Sequence, residues 1–226
     1  MNLLILGRGK TGALVAEVAH ERRHHLRVLG AGGNDNARAL TPEFLAASDL
    51  VIDFTTPSAV VPNAEACIRA GKPMVVGTTG WHPHLPRLRE LVLAAKTGFL
   101  WGSNFSIGMN LFFEITKAAA PALGFDYSGQ IFERHHRHKK DAPSGTAKTL
   151  QKIIREGGGK EPEIVSFREG EVVGMHEVVF NSSSDRIYLC HDSKSRRGFA
   201  EGAVRAAEWL TGKQGFFEFR EIWREL

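Results

Sequence analysis

At the amino terminus a short apolar run, Asn2-Leu3-Leu4-Ile5-Leu6, ends in Gly7-Arg8-Gly9-Lys10-Thr11-Gly12, and Leu14, Val15, Val18 and Ala19 then recur at helical spacing. Strand, glycine turn and helix in that order leave few folds open. The glycines match G-x-G-x-x-G, in which the first permits a tight turn, the second lets a pyrophosphate approach the backbone, and the third lets helix and strand pack closely. A Rossmann-type α/β domain is expected here, with a plain tight turn as the alternative. Gly7, Arg8, Gly9, Lys10, Thr11 and Gly12 are accordingly candidate dinucleotide contacts.

The usual companion is an acidic residue about 20 positions on, at the end of the second strand, where it holds a ribose 2'-hydroxyl. His25 to Leu29 reads as that strand, but Gly30-Ala31-Gly32-Gly33-Asn34 follows with no carboxylate before Asp35. Arg8 and Lys10 instead favour a 2'-phosphate, so the expected cofactor is NADPH or NADH.

Strands and helices go on alternating. Leu50 to Thr55 reads as a buried strand, a helix runs to about Ala70, Pro73 to Gly77 is a strand closed by Thr78-Thr79-Gly80, and His82 to Lys96 is a helix carrying Leu85, Leu88, Leu91 and Val92. Phe99-Leu100-Trp101 is a fifth strand, ending in Gly102-Ser103-Asn104-Phe105-Ser106. This alternation predicts a parallel, helix-covered sheet over residues 1–105. Ligands of such sheets lie outside the carboxyl ends of the strands, which makes Thr55, Gly77 and Thr79 candidate walls of a nicotinamide pocket.

A long helix from Ser106 through Ala119 marks a change of pattern. Tyr127 to Phe132 reads as a strand, and Glu163 to Phe167, Val172 to Phe180 and Arg186 to His191 follow as three strands without intervening helices. They predict a second, smaller α+β domain over residues 106–205. A helix from Gly198 to Leu210 and the run Phe216-Phe217-Glu218-Phe219 lead back, so residues 206–226 are expected to complete the first domain. An exposed apolar face on the second sheet would be a surface for self-association.

Inside the second domain stands the most unusual stretch. Arg134 to Asp141 holds three histidines, two arginines and two lysines, a segment built to meet an anion. Asp141-Ala142-Pro143-Ser144-Gly145 is turn chemistry, and Thr146 to Ile154 then reads as helix with Leu150, Ile153 and Ile154 on one side. A helix start offers unpaired amides and roughly half a positive charge, so Gly145 and Thr146 can hold a carboxylate while histidine and lysine side chains converge from the preceding strand. A dianionic small molecule fits such a site; a solvated basic loop is the alternative. Metal is not expected, because the histidines lack i, i+4 spacing, no cysteine pair is near, and the lysines repel a cation.

The formal charge of +4 and pI near 9.2 come largely from this segment and Ser195-Arg196-Arg197, which suits an acidic ligand rather than nucleic acid. Few aromatics interleave with the basic run for base stacking. The two cysteines, Cys67 and Cys190, are expected as reduced core thiols. No apolar run reaches the roughly 18 residues of a membrane span, and Met1 leads straight into a strand, so a cytoplasmic protein without a membrane partner is expected.

Assembled, these stretches resemble the dihydrodipicolinate reductase family. The blocks that carry the likeness are the glycine turn, Asp53-Phe54-Thr55, Gly77-Thr78-Thr79-Gly80, Ser103 to Gly108, Glu133 through Ala147, and Ser195 to Ala200; His-His-x-His-Lys-x-Asp-Ala-Pro-Ser-Gly-Thr-Ala is the most specific. The resemblance implies His135 as the catalytic acid/base, Lys139 as the proton donor, and His136 with Gly145 and Thr146 as holders of a substrate dicarboxylate. It further implies that Gly7 to Gly12, Gly77, Thr78, Thr79, Gly102, Ser103, Asn104 and Phe105 line the cofactor, and that the protein is a homotetramer joined through its β-rich domains. The implied reaction is NAD(P)H-dependent reduction of 4-hydroxy-tetrahydrodipicolinate in the diaminopimelate route to lysine. Competing readings are a diaminopimelate or homoserine dehydrogenase, or a non-catalytic NADPH-binding sensor.

Overall fold

Strand and helix alternate through the amino-terminal part of the computed structural model, which describes residues 1–226. In order come β1 (Asn2–Leu6), α1 (Lys10–Glu21), β2 (His25–Leu29), α2 (Pro42–Ala46), β3 (Leu50–Asp53), α3 (Pro57–Arg69), β4 (Met74–Val76), α4 (Leu85–Ala95) and β5 (Gly98–Trp101). Then follow α5 (Ile107–Ala119), β6 (Ser128–His135), α6 (Gly145–Gly158), β7 (Glu163–Arg168), β8 (Met175–Asn181) and β9 (Arg186–Asp192). The chain closes with α7 (Arg197–Leu210), β10 (Gly215–Glu218) and α8 (Phe219–Ile222). Met1–Ser106 and Arg197–Leu226 form one unit, Ile107–Arg196 the other.

The first unit is a six-stranded parallel sheet in the order β10-β5-β4-β3-β1-β2. Successive side chains point to opposite faces, and helices cover both, which is why its strands read as unbroken apolar runs. Leu3, Ile5, Leu50 and Ile52 pack with Val15 and Val18 of α1 and with Ala203, Val204 and Ala207 of α7. Leu4, Leu6, Val51 and Val76 take the opposite face, against Val60 and Ala64 of α3 and Leu88 and Val92 of α4. Each buried leucine, isoleucine or valine contributes about 1.5–3 kcal/mol. Strand order reverses at β1, which has β2 on one side and β3 on the other, so a crevice opens at their carboxyl ends.

The second unit is a mixed sheet in the order β7-β6-β8-β9, with β6 and β7 parallel and the other pairs antiparallel. One face packs Ile131, Val178 and Phe180 against Met109, Phe112 and Phe113 of α5 and Leu150, Ile153 and Ile154 of α6.

Five points need correction. The return to the first unit falls at Arg197 rather than residue 206, because α7 packs along its whole length, from Ala200 to Leu210, on one core. Strand β6 continues past Phe132 to His135, and β8 starts at Met175 rather than Val172. Helix α2 was not foreseen; Thr41 caps it, its Oγ1 accepting from the Phe44 amide at 3.2 Å, with Pro42 in its first turn. Cys67 is buried but Cys190 is exposed, since the alternation of β9 turns Leu189 and His191 inward instead.

Candidate active site

In the first unit the glycine turn is required by its surroundings. Gly7 has φ +104°, and a Cβ there would lie 2.2 Å from the Phe54 carbonyl oxygen; one on Gly12 would lie 2.4 Å from that of Gly7. Around Gly9, by contrast, a Cβ would meet nothing within 4 Å. Gly9 is also the N-cap of α1 and brings no side-chain acceptor, so the first amides of the helix are left for an anion. Closed at Gly7 and Gly12 and open at Gly9, the turn fits a dinucleotide pyrophosphate.

Two cavities flank this turn. One, of about 510 Å³, is lined by Gly7, Arg8, Gly9, Asn34, Asp35 and Thr55 among others. The second, of about 320 Å³, is lined by Gly9, Lys10, Thr11, Gly12, Thr55, Gly77, Thr78 and Thr79. Glycine-turn and Thr55, Gly77, Thr78 and Thr79 expectations thus converge on one crevice. Gly102, Ser103, Asn104 and Phe105 line neither cavity. Phe105 is a packing residue, 2% exposed and 4.6 Å in ring separation from Phe219, and Asn104 Oδ1 accepts from the Ser106 amide.

Beneath the crevice lies Asp53, fully buried at the end of β3. It accepts from the Thr55 amide (2.9 Å) and hydroxyl (2.6 Å), from Asn63 Nδ2 (2.8 Å) and from the Thr78 hydroxyl (3.0 Å). Burial pushes its carboxyl up, against the pull of those donors. Asn63 Oδ1 in turn accepts from Asn34 Nδ2 at 2.9 Å. At the same end Arg8 donates to the Val28 carbonyl at 3.3 Å, so a cation and the Asp35 carboxylate both border the cavity beyond β2. Sequence reading passed over Asp35 because it looked for a carboxylate on the strand rather than in the turn after it.

The second unit gathers its polar residues at the carboxyl end of β6. Period-two alternation puts Ile131, Glu133 and His135 on the helix-covered face, and register sets Glu133 opposite Ser166 of β7 and His176 of β8. Glu133 is 0% exposed. Its Oε1 accepts from the Ser144 amide (3.0 Å), Ser166 Oγ (2.7 Å) and Arg168 Nη2 (2.8 Å). Its Oε2 faces His135 Nδ1 at 3.2 Å and His176 Nε2 at 3.8 Å. Burial opposes the charge, yet His135, Ser144, Ser166 and Arg168 together hold the carboxyl well below the usual carboxylate range.

His176 stacks edge-on against His135, with ring centroids 5.1 Å apart, and its Nε2 lies 3.2 Å from Ser144 Oγ. Burial, reinforced by His135, pushes it down to about 3, so it stays neutral. Ser144 is the N-cap of α6 and accepts from the Ala147 amide at 3.2 Å. Next to it, a Cβ on Gly145 would meet nothing within 4 Å, which leaves the approach to the first helical amides open. Lys139 does not stand alone; its Nζ pairs with Asp141 Oδ1 at 2.7 Å, which, against burial, holds that carboxyl below its ordinary value. His136 is half-buried beside His138.

The expected residues His135, Lys139, Gly145 and Thr146 therefore belong to one polar end of the unit. Sequence reading missed Glu133 as a structural centre, with Ser144, Ser166, Arg168 and His176. The one available signal was the alternation Ile131-x-Glu133-x-His135, hidden in a run that reads as charged throughout. Glu133, His135 and His176 place ligand-type atoms within 4.8 Å of one another, but Arg168 already neutralises the one carboxylate, which is unsuited to a metal ion.

Comparison with known proteins agrees along the whole chain. A family model described as dihydrodipicolinate reductase, N-terminus, matches residues 1–105, and its counterpart described as the C-terminus matches residues 108–222. A 4-hydroxy-tetrahydrodipicolinate reductase of Christiangramia forsetii is 38% identical, covering 100% of this chain and 99% of its own. That of Pseudomonas fluorescens is 37% identical over 96% of this chain and 85% of its own. Among solved structures, dipicolinate-bound dihydrodipicolinate reductase from Paenisporosarcina sp. TG-14 shares the fold with a TM-score of 0.77 at 24% identity, over 98% and 99% of the two chains. A DAP dehydrogenase of C. glutamicum also shares the fold, more distantly, with a TM-score of 0.54 at 13% identity, over 98% and 93%.

Proposed function

The chain belongs to the dihydrodipicolinate reductase family and catalyses the NAD(P)H-dependent reduction of 4-hydroxy-tetrahydrodipicolinate in the diaminopimelate route to lysine; from this premise we propose how its residues divide the work. The first unit is the dinucleotide-binding domain. Gly7 to Gly12 lie under the pyrophosphate, Thr55, Gly77, Thr78 and Thr79 beside the nicotinamide, and Gly102, Ser103, Asn104 and Phe105 behind them. When bound, the coenzyme supplies the hydride.

The second unit holds the substrate. Gly145 and Thr146, at the start of α6, take a carboxylate together with His136. Loss of the 4-hydroxyl group as water leaves a conjugated imine, and hydride addition to that imine leaves a neighbouring atom in need of a proton, which an imidazole is able to supply. His135 is that acid/base and Lys139 the proton donor beside it. The observation that carries this reading is a buried histidine, 7% exposed, tied through Glu133 to the start of a 14-residue helix.

Coenzyme choice is loose, since Arg8 and Asp35 set opposite charges at the same cavity. The protein works in the cytoplasm as a homotetramer joined through the second sheet, whose face turned away from α5 and α6 carries Phe132, Val165, Phe167 and Tyr188, the last 62% exposed. No helix is long and apolar enough to cross a membrane.

The test is coenzyme oxidation with the dicarboxylate substrate, wild type against His135→Gln, with sedimentation velocity for the assembly. The variant is expected to lose roughly two to four orders of magnitude in kcat, the usual worth of general acid-base catalysis, with coenzyme affinity retained. An unchanged rate would remove His135 from the mechanism, and a sedimenting monomer would remove the tetramer.

A further inference from the structure

A carboxylate with no exposure, on the apolar face of a sheet, survives only if every lone pair is used. Glu133 meets that condition at Oε1, with three donors at 2.7–3.0 Å from Ser144, Ser166 and Arg168. At Oε2 it makes no hydrogen bond to any other group, and His135 Nδ1, 3.2 Å away, makes none either. Each of the two buried atoms thus has the other as its natural partner, and only an N–H on Nδ1 satisfies both. The opposite ring atom is free of such a neighbour. Nε2 lies beside Gly174, where a Cβ would come within 3.1 Å of it, and glycine leaves that space unfilled. Neutral His176 walls the pair without adding a second cation, its own Nε2 turned to Ser144.

We propose that Glu133 is the positioning residue of this site: it holds the proton of neutral His135 on Nδ1, so that Nε2 is the atom that gives and regains the catalytic proton. The proposal rests on the reading of His135 as the acid. During reduction the Nε2–H bond breaks, its electron pair stays on the ring, and the proton goes to the substrate atom next to the one that receives hydride. The Nδ1 proton stays against Oε2 throughout, and Glu133 remains ionised. Nε2 then regains its proton from Lys139, the donor beside it, which is reprotonated from solvent. Through the Ser144 amide, the same carboxylate also fixes the start of α6, so the proton donor and the carboxylate-binding amides share one anchor.

Two measurements test this. In wild-type protein labelled with ¹⁵N-histidine, deprotonated His135 is expected to show a protonated Nδ1 and an unprotonated Nε2; the reverse pattern overturns the proposal without any variant. Glu133→Gln keeps an acceptor for Ser144, Ser166 and Arg168 but can turn its amide donor to His135, which inverts the tautomer. Its kcat is expected to fall by roughly a hundredfold or more, with KM for the dicarboxylate within about threefold of wild type. A Glu133→Gln enzyme with wild-type kcat, alongside an inactive His135→Gln, would overturn the positioning role while leaving the acid in place. Should His135→Gln itself be fully active, the reading of the acid fails as well.

Discussion

Gly12→Ala adds one methyl group at the most confined point of the nucleotide turn. The new Cβ would stand 2.4 Å from the Gly7 carbonyl oxygen and 3.0 Å from its carbon, where ordinary contact begins at 3.4 Å. Relief requires a retreat of about 1 Å. Gly7 cannot supply it, because it is held at φ +104° with Phe54 close behind, so α1 must lift from β1. Val15, Val18 and Ala19 then lose contact with Leu3 and Ile5, and overpacking of this kind costs about 1–3 kcal/mol of stability. The first amides of α1 move by the same distance, which turns a hydrogen bond of ~2.9 Å into a separation of ~3.9 Å, too long to count. Losing one such bond to a charged phosphate is worth about 1.5–3 kcal/mol, or at least about tenfold in Kd. Calorimetric titration with NADPH and NADH, and urea unfolding of the free protein, read the two effects separately. Coenzyme affinity within about twofold of wild type would refute the reasoning, for the glycine would then be only a turn residue.

Ser144→Ala should cost about 1 kcal/mol for the lost helix cap and about 1–3 more for the His176 nitrogen left without Ser144 Oγ, read by urea unfolding; a loss below ~0.5 kcal/mol would contradict the geometry. NADH and NADPH affinities should lie within about tenfold, or 1.4 kcal/mol; Arg8→Ala is expected to weaken NADPH and Asp35→Ala to weaken NADH, and a preference for either above a hundredfold would sink the idea. Acid should loosen the second unit through two depressed groups. Glu133 gives its full contribution above the ordinary 4.5 and loses it as pH falls below that value. His176 drops from 6.5 to about 3 on folding, so the unfolded chain takes up that proton first, and stability present above 6.5 declines as pH falls toward 3. The urea midpoint should therefore fall between about pH 7.5 and about pH 5, less steeply in His176→Gln, and parallel slopes would exclude His176 as a cause.

Most of the first unit was legible because its strands are buried on both faces. Leu3 to Leu6 and Leu50 to Ile52 have no polar residue to hide the pattern, and the glycine turn announces the first crossover. The second unit resisted for the opposite physical reason. Its active end places Glu133 and His135 where a strand normally shows apolar side chains, so β6 read as ending at Phe132. Nothing local marks His176 as their partner; that follows only from the antiparallel register that sets it across from Glu133. Helix α2 was legible and was passed over, since Thr41-Pro42 is a cap followed by proline at the first helical position. The boundary near Arg197 was hidden although the helix itself reads plainly, because only its packing from Ala200 onward on the first core assigns it to that unit.

The late position of α7 and β10 bears on how the chain is made. Ala203, Val204 and Ala207 cover Ile5 and Ile52, and β10 pairs with β5, yet both elements are translated after the entire second unit. On the ribosome, residues 107–196 emerge as an uninterrupted segment with its own core and are able to fold as soon as they clear the exit. The parallel sheet has to wait. Until residue 218 has been added, one of its faces is covered by α1 alone and the β5 edge is unpaired, a state in which nascent chains aggregate or recruit chaperones. Truncations that remove only the carboxyl-terminal stretch should for that reason harm the amino-terminal sheet more than the middle of the chain.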